Sequence, residues 1–327
     1  MSNETNMSKN VMTHNAATAG NDASVTEETA GRDIAPGPAE VVPVTAQATD
    51  RERPAQTGDA QPTHYKRFTR AQRIEHALLF ISFTTLVITG LPQLYSQTWV
   101  GSIAIFSMGG IELVRILHRA AAVLLMLETI FHGGVVTYKV LVKRVRLTMM
   151  PGWQDIKDGF QALGYNFGIA KTPPRMGRYT FGEKVEYWAV IWGTVIMVLT
   201  GFMLWNPIAT TRFLPGQAIP AAKAAHGGEA LLAILSIITW HVYHVHIKHF
   251  NRSIFTGHIS RHEMEEEHPL ELAAIERGEE DAPVDPVRLR RRQQIFYPVA
   301  TVISLLLLLG LYWFVTFEQT AIVTLPR

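Results

Sequence analysis

The chain contains no cysteine. That excludes disulfides, thiolate-held iron–sulfur clusters and covalent CxxCH haem attachment, so any such centre must sit on another protein. Large apolar side chains are almost missing from residues 1–63, which are rich in Ala, Thr, Glu, Asp and Pro. Such a segment cannot bury enough surface to offset its ordering entropy, and a disordered tail is expected. The tail also lacks the basic start, apolar run and cleavage site of a signal peptide. No Gly-rich phosphate loop occurs anywhere, which removes a nucleotide-fed reductase from the leading readings. No nucleic-acid partner is expected.

What the chain does have is five apolar runs, about 74–91, 116–142, 185–205, 224–247 and 295–317. Each approaches or exceeds the roughly 20 residues that cross a bilayer core. Stretches such as FISFTTLVITGL and LLLLLGLYWFV show no alternation of polar and apolar faces, as a soluble amphipathic helix would. The expected fold is all-α and integral to the membrane: a four-helix bundle plus a fifth transmembrane helix. The expected organisation is a tail over 1–63, the four-helix domain over 64–260, an acidic linker over 261–292, and a fifth helix with an external C-terminus over 293–327. The loop 151–183 carries apolar residues that predict a short surface helix.

Lys and Arg crowd the segments before run one, between runs two and three, and between runs four and five, whereas loops 93–114 and 206–223 are nearly free of them. The positive-inside rule then puts the N-terminus in the cytoplasm and the C-terminus outside.

Ionisable residues inside a membrane are expensive and mark function. Run two carries His118 and His132, fourteen apart; run four carries His226 and His241, fifteen apart, with His244 just beyond; run one carries His76. Fourteen α-helical residues return a side chain to within about 40° of the same face, and fifteen miss by about 60°. Two imidazoles on one side of a helix, one near each membrane surface, are what two stacked haems need, because each iron takes two axial nitrogens. His118 and His226 share the outer depth and form one expected pair. The inner pair is His241 with either His76 or His132. Gly90, Gly133, Gly134, Gly201, Gly227 and Gly228 suit close approach of a macrocycle or of another helix. An internal echo accompanies this pattern: Glu75 is followed by Thr89-Gly90, and Glu186 at the same spacing by Thr200-Gly201. It suggests a duplicated helix pair.

These residues resemble a known group, the cytochrome b (gamma) subunits of respiratory formate dehydrogenases and the related cytochrome b of membrane-bound nickel–iron hydrogenases. The resemblance covers about 66–270. RFTRAQRIEHALLFISFTTLVITGLP is similar to the family's first helix and RILHRAAAV to the start of its second. RYTFGEKVEYW is similar to the approach to its third helix, and AHGGEALLAILSIITWHVYHVHI with FTGHISRHEMEEEHP to its fourth helix and tail. The resemblance implies two haems b, one held by His76 with His241 and one by His118 with His226, and quinone reduction near the inner haem. It departs from the family at four points. The fifteen-residue gap leaves His241 and His244 both open. His132 lies outside the pattern and could replace His76, bond a propionate or serve a third haem. Thr180 stands where the family carries an asparagine, at the expected quinone contact. Run five and the long tail are additions, which mark a variant branch.

The implied function is electron transfer between quinone and a periplasmic redox subunit carrying iron–sulfur clusters or c-type haems, with Glu183 and Glu186 as candidate proton suppliers. The chain alone is then an electron-transfer subunit of an oxidoreductase, solvated by membrane lipid. The competing reading is a haem-free membrane anchor or proton-coupled transporter, which would line one cavity with histidines that are not paired by depth.

Overall fold

A computed structural model of the chain describes residues 62–248, 250–279 and 285–317. Most of the expected tail, His249, part of the acidic linker and the expected external C-terminus lie outside the described residues.

The elements in chain order are β1 (His64–Lys66), α1 (Arg70–Leu94), α2 (Trp99–Ser107), α3 (Ile111–Tyr138), α4 (Trp153–Asn166), α5 (Phe181–Trp205), α6 (Pro207–Thr211), α7 (Ala218–Ser236), α8 (Ser253–Thr256), β2 (His258–Ser260), α9 (Arg261–Glu267), α10 (Pro269–Glu276) and α11 (Pro286–Thr316). Helix α3 runs on as a π-helical turn over Lys139–Lys143, and α7 as a π-helix over Ile237–Lys248. Each of the five apolar runs falls within one long helix, and all five are long and apolar enough to cross a membrane. The chain is an all-α integral membrane protein.

The side chains are distributed as a bilayer demands. Phe80, Leu199 and Leu309 are more than 60% exposed, whereas the buried positions of the spans include Ser82, Thr89, Ala121, Gly193 and Thr200. Small and hydroxylated residues allow backbones to approach where lipid removes any hydrophobic drive between helices. The closest packing is α1 on α3 and α5 on α7, so the bundle is two helical hairpins. Helix α11 lies along α3: Tyr138 meets Phe296 edge to face and stacks on Tyr297, and Gln293 Nε2 donates to the Tyr138 hydroxyl at 2.8 Å. Its far end reaches α5, where Phe314 lies 5.0 Å from Phe202 and 5.1 Å from Trp205, centre to centre.

The ends of the bundle differ. At the end that carries the basic loops, β1 and β2 pair antiparallel, with Tyr65 opposite Ile259. Tyr65, Ile259, Met264 and Leu272 form a small buried cluster. Residues 261–276, at the start of the expected acidic linker, form two short helices seated on this ladder. Leu272 and Met264 supply the apolar contact, and Arg178 pairs with Glu271 at 3.2 Å, so the acidic average conceals an apolar stripe. Below, "basic side" means this end and "far side" the opposite one.

Candidate functional site

On the far side, His118 of α3 and His226 of α7 face each other across the two hairpins, with ring centres 6.4 Å apart. Each is held by a threonine of its own hairpin. Thr89 Oγ1 lies 2.9 Å from His118 Nδ1, and Thr200 Oγ1 lies 2.9 Å from His226 Nδ1. Both hydroxyls already donate to the carbonyl four residues back, Thr89 to Thr85 at 2.6 Å and Thr200 to Ile196 at 2.7 Å. A hydroxyl has one proton to give. Each threonine therefore accepts from Nδ1–H, which fixes the tautomer and leaves both Nε2 lone pairs unprotonated. The glycines after these threonines make room for the rings: a Cβ on Gly90 would stand 3.0 Å from His118 Cε1, and one on Gly201 3.4 Å from His226 Cε1.

On the basic side, His76 of α1 faces His241 of α7 with ring centres 6.3 Å apart. His241 Nδ1 lies 3.0 Å from Glu186 Oε2. Glu186 accepts the Nδ1–H, so Nε2 is the ring nitrogen turned away from this contact.

His241 reaches this position because of the π-helix. A π-helix closes i→i+5 bonds, so each residue turns by only about 82°, against about 100° in an α-helix. Ten α steps and five π steps from His226 land about 30° short of four full turns, close to the face that fourteen α steps would reach. The π-helix thus brings a fifteen-residue spacing to the phase of a fourteen-residue α-helical one. His244, three residues on, lies elsewhere: its Nδ1 is 3.0 Å from the Trp240 carbonyl oxygen and its ring sits 4.2 Å from that of Trp240.

His132 is not brought to either pair. Its Nδ1 lies 2.8 Å from Glu75 Oε2 and its Nε2 lies 3.0 Å from the Tyr187 hydroxyl, so both ring nitrogens are engaged. The internal echo now has a structural counterpart. Glu75 bonds His132 as Glu186 bonds His241, and Thr89 bonds His118 as Thr200 bonds His226. Tyr187, the residue after Glu186, stands opposite His132 where His76, the residue after Glu75, stands opposite His241. Tyr187 and the threonine acceptors were not singled out as site residues from the sequence. The signal that could have found them is the fourteen-residue Glu-to-Thr interval in both halves.

Thr180 caps α5, and Glu183 closes the capping box: its Oε2 accepts the Thr180 N–H at 2.7 Å while its Oε1 pairs with Arg67 at 2.9 Å. Arg67 also donates to the Arg178 carbonyl oxygen. Behind this group His268 is buried, and its Nδ1–H donates to the Gly177 carbonyl at 2.9 Å. Burial, and then the Arg67 charge, push the His268 pKa below the ordinary histidine value, so it stands neutral.

No protein-family model matches the chain. Among curated proteins, it is 28% identical over 181 residues to the formate dehydrogenase cytochrome b556(fdo) subunit of Escherichia coli K12, covering 54% of this chain and 76% of that protein. It is 24% identical over 105 residues to the nitrate-inducible formate dehydrogenase cytochrome b556(Fdn) subunit of the same strain, covering 32% of this chain and 48% of that one. The resemblance carried by the motifs is thus borne out: this membrane protein is a relative of the cytochrome b subunits of formate dehydrogenases.

Proposed function

We propose that the chain is a di-haem cytochrome b subunit of the bacterial inner membrane, with its N-terminus in the cytoplasm. It moves electrons between membrane quinone and a redox partner at the far, periplasmic side. A haem b bound at such a site supplies a reversible ferric–ferrous couple that carries one electron. The observation that carries the reading is the pair of facing histidine pairs. A haem iron held there would take one imidazole nitrogen from each member of a facing pair. The two pairs stand at 6.3 and 6.4 Å.

His118 with His226, and His76 with His241, would hold the two groups. The chain's own contribution is to orient these rings. Thr89, Thr200 and Glu186 take the Nδ1 protons, and Gly90 and Gly201 let the far-side rings lie against neighbouring backbone. Hydrogen bonds of this kind raise ligand basicity and fix ring orientation. Among the described residues no three or more His, Asp or Glu gather as a metal held by protein alone would require, and a macrocycle needs only two protein ligands. The engaged nitrogens of His132 favour two haems over three.

Quinone chemistry belongs to the basic side, at the start of α5. Thr180, Glu183 and Arg67 shape that approach, and Glu186 links it to His241. The partner carries iron–sulfur clusters or c-type haems, for which this cysteine-free chain has no ligands. The test is to add a quinol analogue to the purified protein and follow b-type absorbance. Partial reduction by quinol is expected. Protein that dithionite reduces and quinol does not would refute the quinone link.

A further inference from the structure

Helix α4 is amphipathic the wrong way round for a helix packed on protein. Asp155 and Asp158 face inward and are buried. Asp155 Oδ1 pairs with Lys184 Nζ at 2.7 Å and its Oδ2 accepts the Gly152 N–H at 2.7 Å, while Asp158 accepts from Gln154 at 2.8 Å. Gly159, on the same inward side, lies against the Phe181 ring, where a Cβ would stand 3.1 Å from it. The outward face is a stripe of Trp153, Ile156, Phe160, Leu163 and Phe167, exposed by 71, 45, 71, 52 and 74%. Their spacing of three and four residues puts all five within about 80° of the helix circumference.

The position of α4 says what covers this stripe. Its inward side is fastened to Phe181 and Lys184, in the first turn of α5, which is one of the five helices able to cross a membrane. The preceding loop is tied to the same helix, since Trp188 Nε1 donates to the Met149 carbonyl at 3.1 Å. The stripe therefore begins where the lipid-facing surface of α5 ends. Lys157 is exposed beside it, with Arg144, Arg146 and Lys171 exposed in the flanking loops, as suits the phosphate level of an anionic leaflet.

We propose that α4 lies in the plane of the membrane surface on the basic side, its aromatic stripe sunk into the headgroup–acyl boundary and its acids turned to the protein. Burying such a face supplies the attraction that holds an interfacial helix. The consequence is mechanical: the first turn of α5, which carries Glu183 and leads to Glu186, is held at the depth of the lipid surface.

The absence of native cysteine makes the test clean. Full-length Phe160→Cys, Phe167→Cys and Gln161→Cys variants carry a nitroxide label in vesicles of phosphatidylethanolamine and phosphatidylglycerol. Collision rates with oxygen, which partitions into lipid, are compared with those of a water-soluble nickel chelate. Labels at 160 and 167 are expected to favour oxygen several-fold, and the label at 161 to favour the chelate. Chelate-accessible labels at all three positions would overturn the proposal. So would labels at 160 and 167 shielded from both reagents, because a protein partner would then cover the stripe. Far-UV circular dichroism confirms folding, and Phe167→Cys keeps the test decisive if Phe160→Cys misfolds.

Discussion

The threonine acceptors offer the sharpest test of how this bundle prepares its histidines. In a Thr89→Val, Thr200→Val variant each side chain keeps its shape and loses its oxygen. Valine turns a methyl group toward Nδ1 of His118 and His226, and the proton there is left without an acceptor. Both threonines are buried, at 2 and 9% exposure, so water does not replace the lost partner. An unsatisfied buried donor costs about 1–3 kcal/mol, which is roughly a 5- to 150-fold loss of affinity per site. Because both threonines serve one site, the double variant is expected to lose less than the sum of the singles. Haem is assayed as pyridine haemochromogen against protein, with reduced-minus-oxidised spectra alongside. The valine variant is expected to fall from two haems toward one, and the Thr→Ser pair to keep both. A valine variant with two haems and unchanged spectra would refute the tautomer argument.

Two further predictions concern the basic side. Glu186→Gln replaces a carboxylate acceptor by an amide at His241. Hydrogen bonds to charged groups exceed neutral ones by about 1 kcal/mol, so one of the two midpoint potentials should rise by about 40 mV, read by potentiometric titration with the other unmoved. His268 is the second case. Its pKa is lowered in the fold by burial and by Arg67, so below about pH 6.5 the unfolded segment binds a proton that the folded one refuses. The stability of 258–276 is thus complete above about pH 6.5 and falls below it, by up to about 1.4 kcal/mol per pH unit. Hydrogen exchange, corrected for intrinsic rates, should show this loss between pH 6.5 and 5.5, and His268→Gln should abolish the pH dependence.

The five spans were legible because an apolar run of membrane length has one stable solution. The His118–His226 pair was legible too, since topology alone matches their depths. The choice of His241 over His244, and of His76 over His132 as its partner, was implied by the family resemblance but was not legible in the spacing of the residues. It rests on helix phase, and a π-helix changes phase without any composition signal; the fifteen-residue gap was its only trace. The ladder of His64–Lys66 with His258–Ser260 joins two three-residue segments far apart in sequence, too short for periodicity to show. The fold of 261–276 was hidden by its glutamates, which dominate any average while Met264 and Leu272 make the contacts. Glu183 was read as a proton supplier, yet Thr180-x-x-Glu183 also carries the capping-box spacing in which it is found.

The measurement closest to the central claim is haem per chain in the wild-type protein and in His118→Ala and His76→Ala variants. Two b-type haems in the wild type, with one remaining in each variant, is the expected result. Folded wild-type protein without haem, or variants that keep both haems, would contradict the assignment of the two facing histidine pairs.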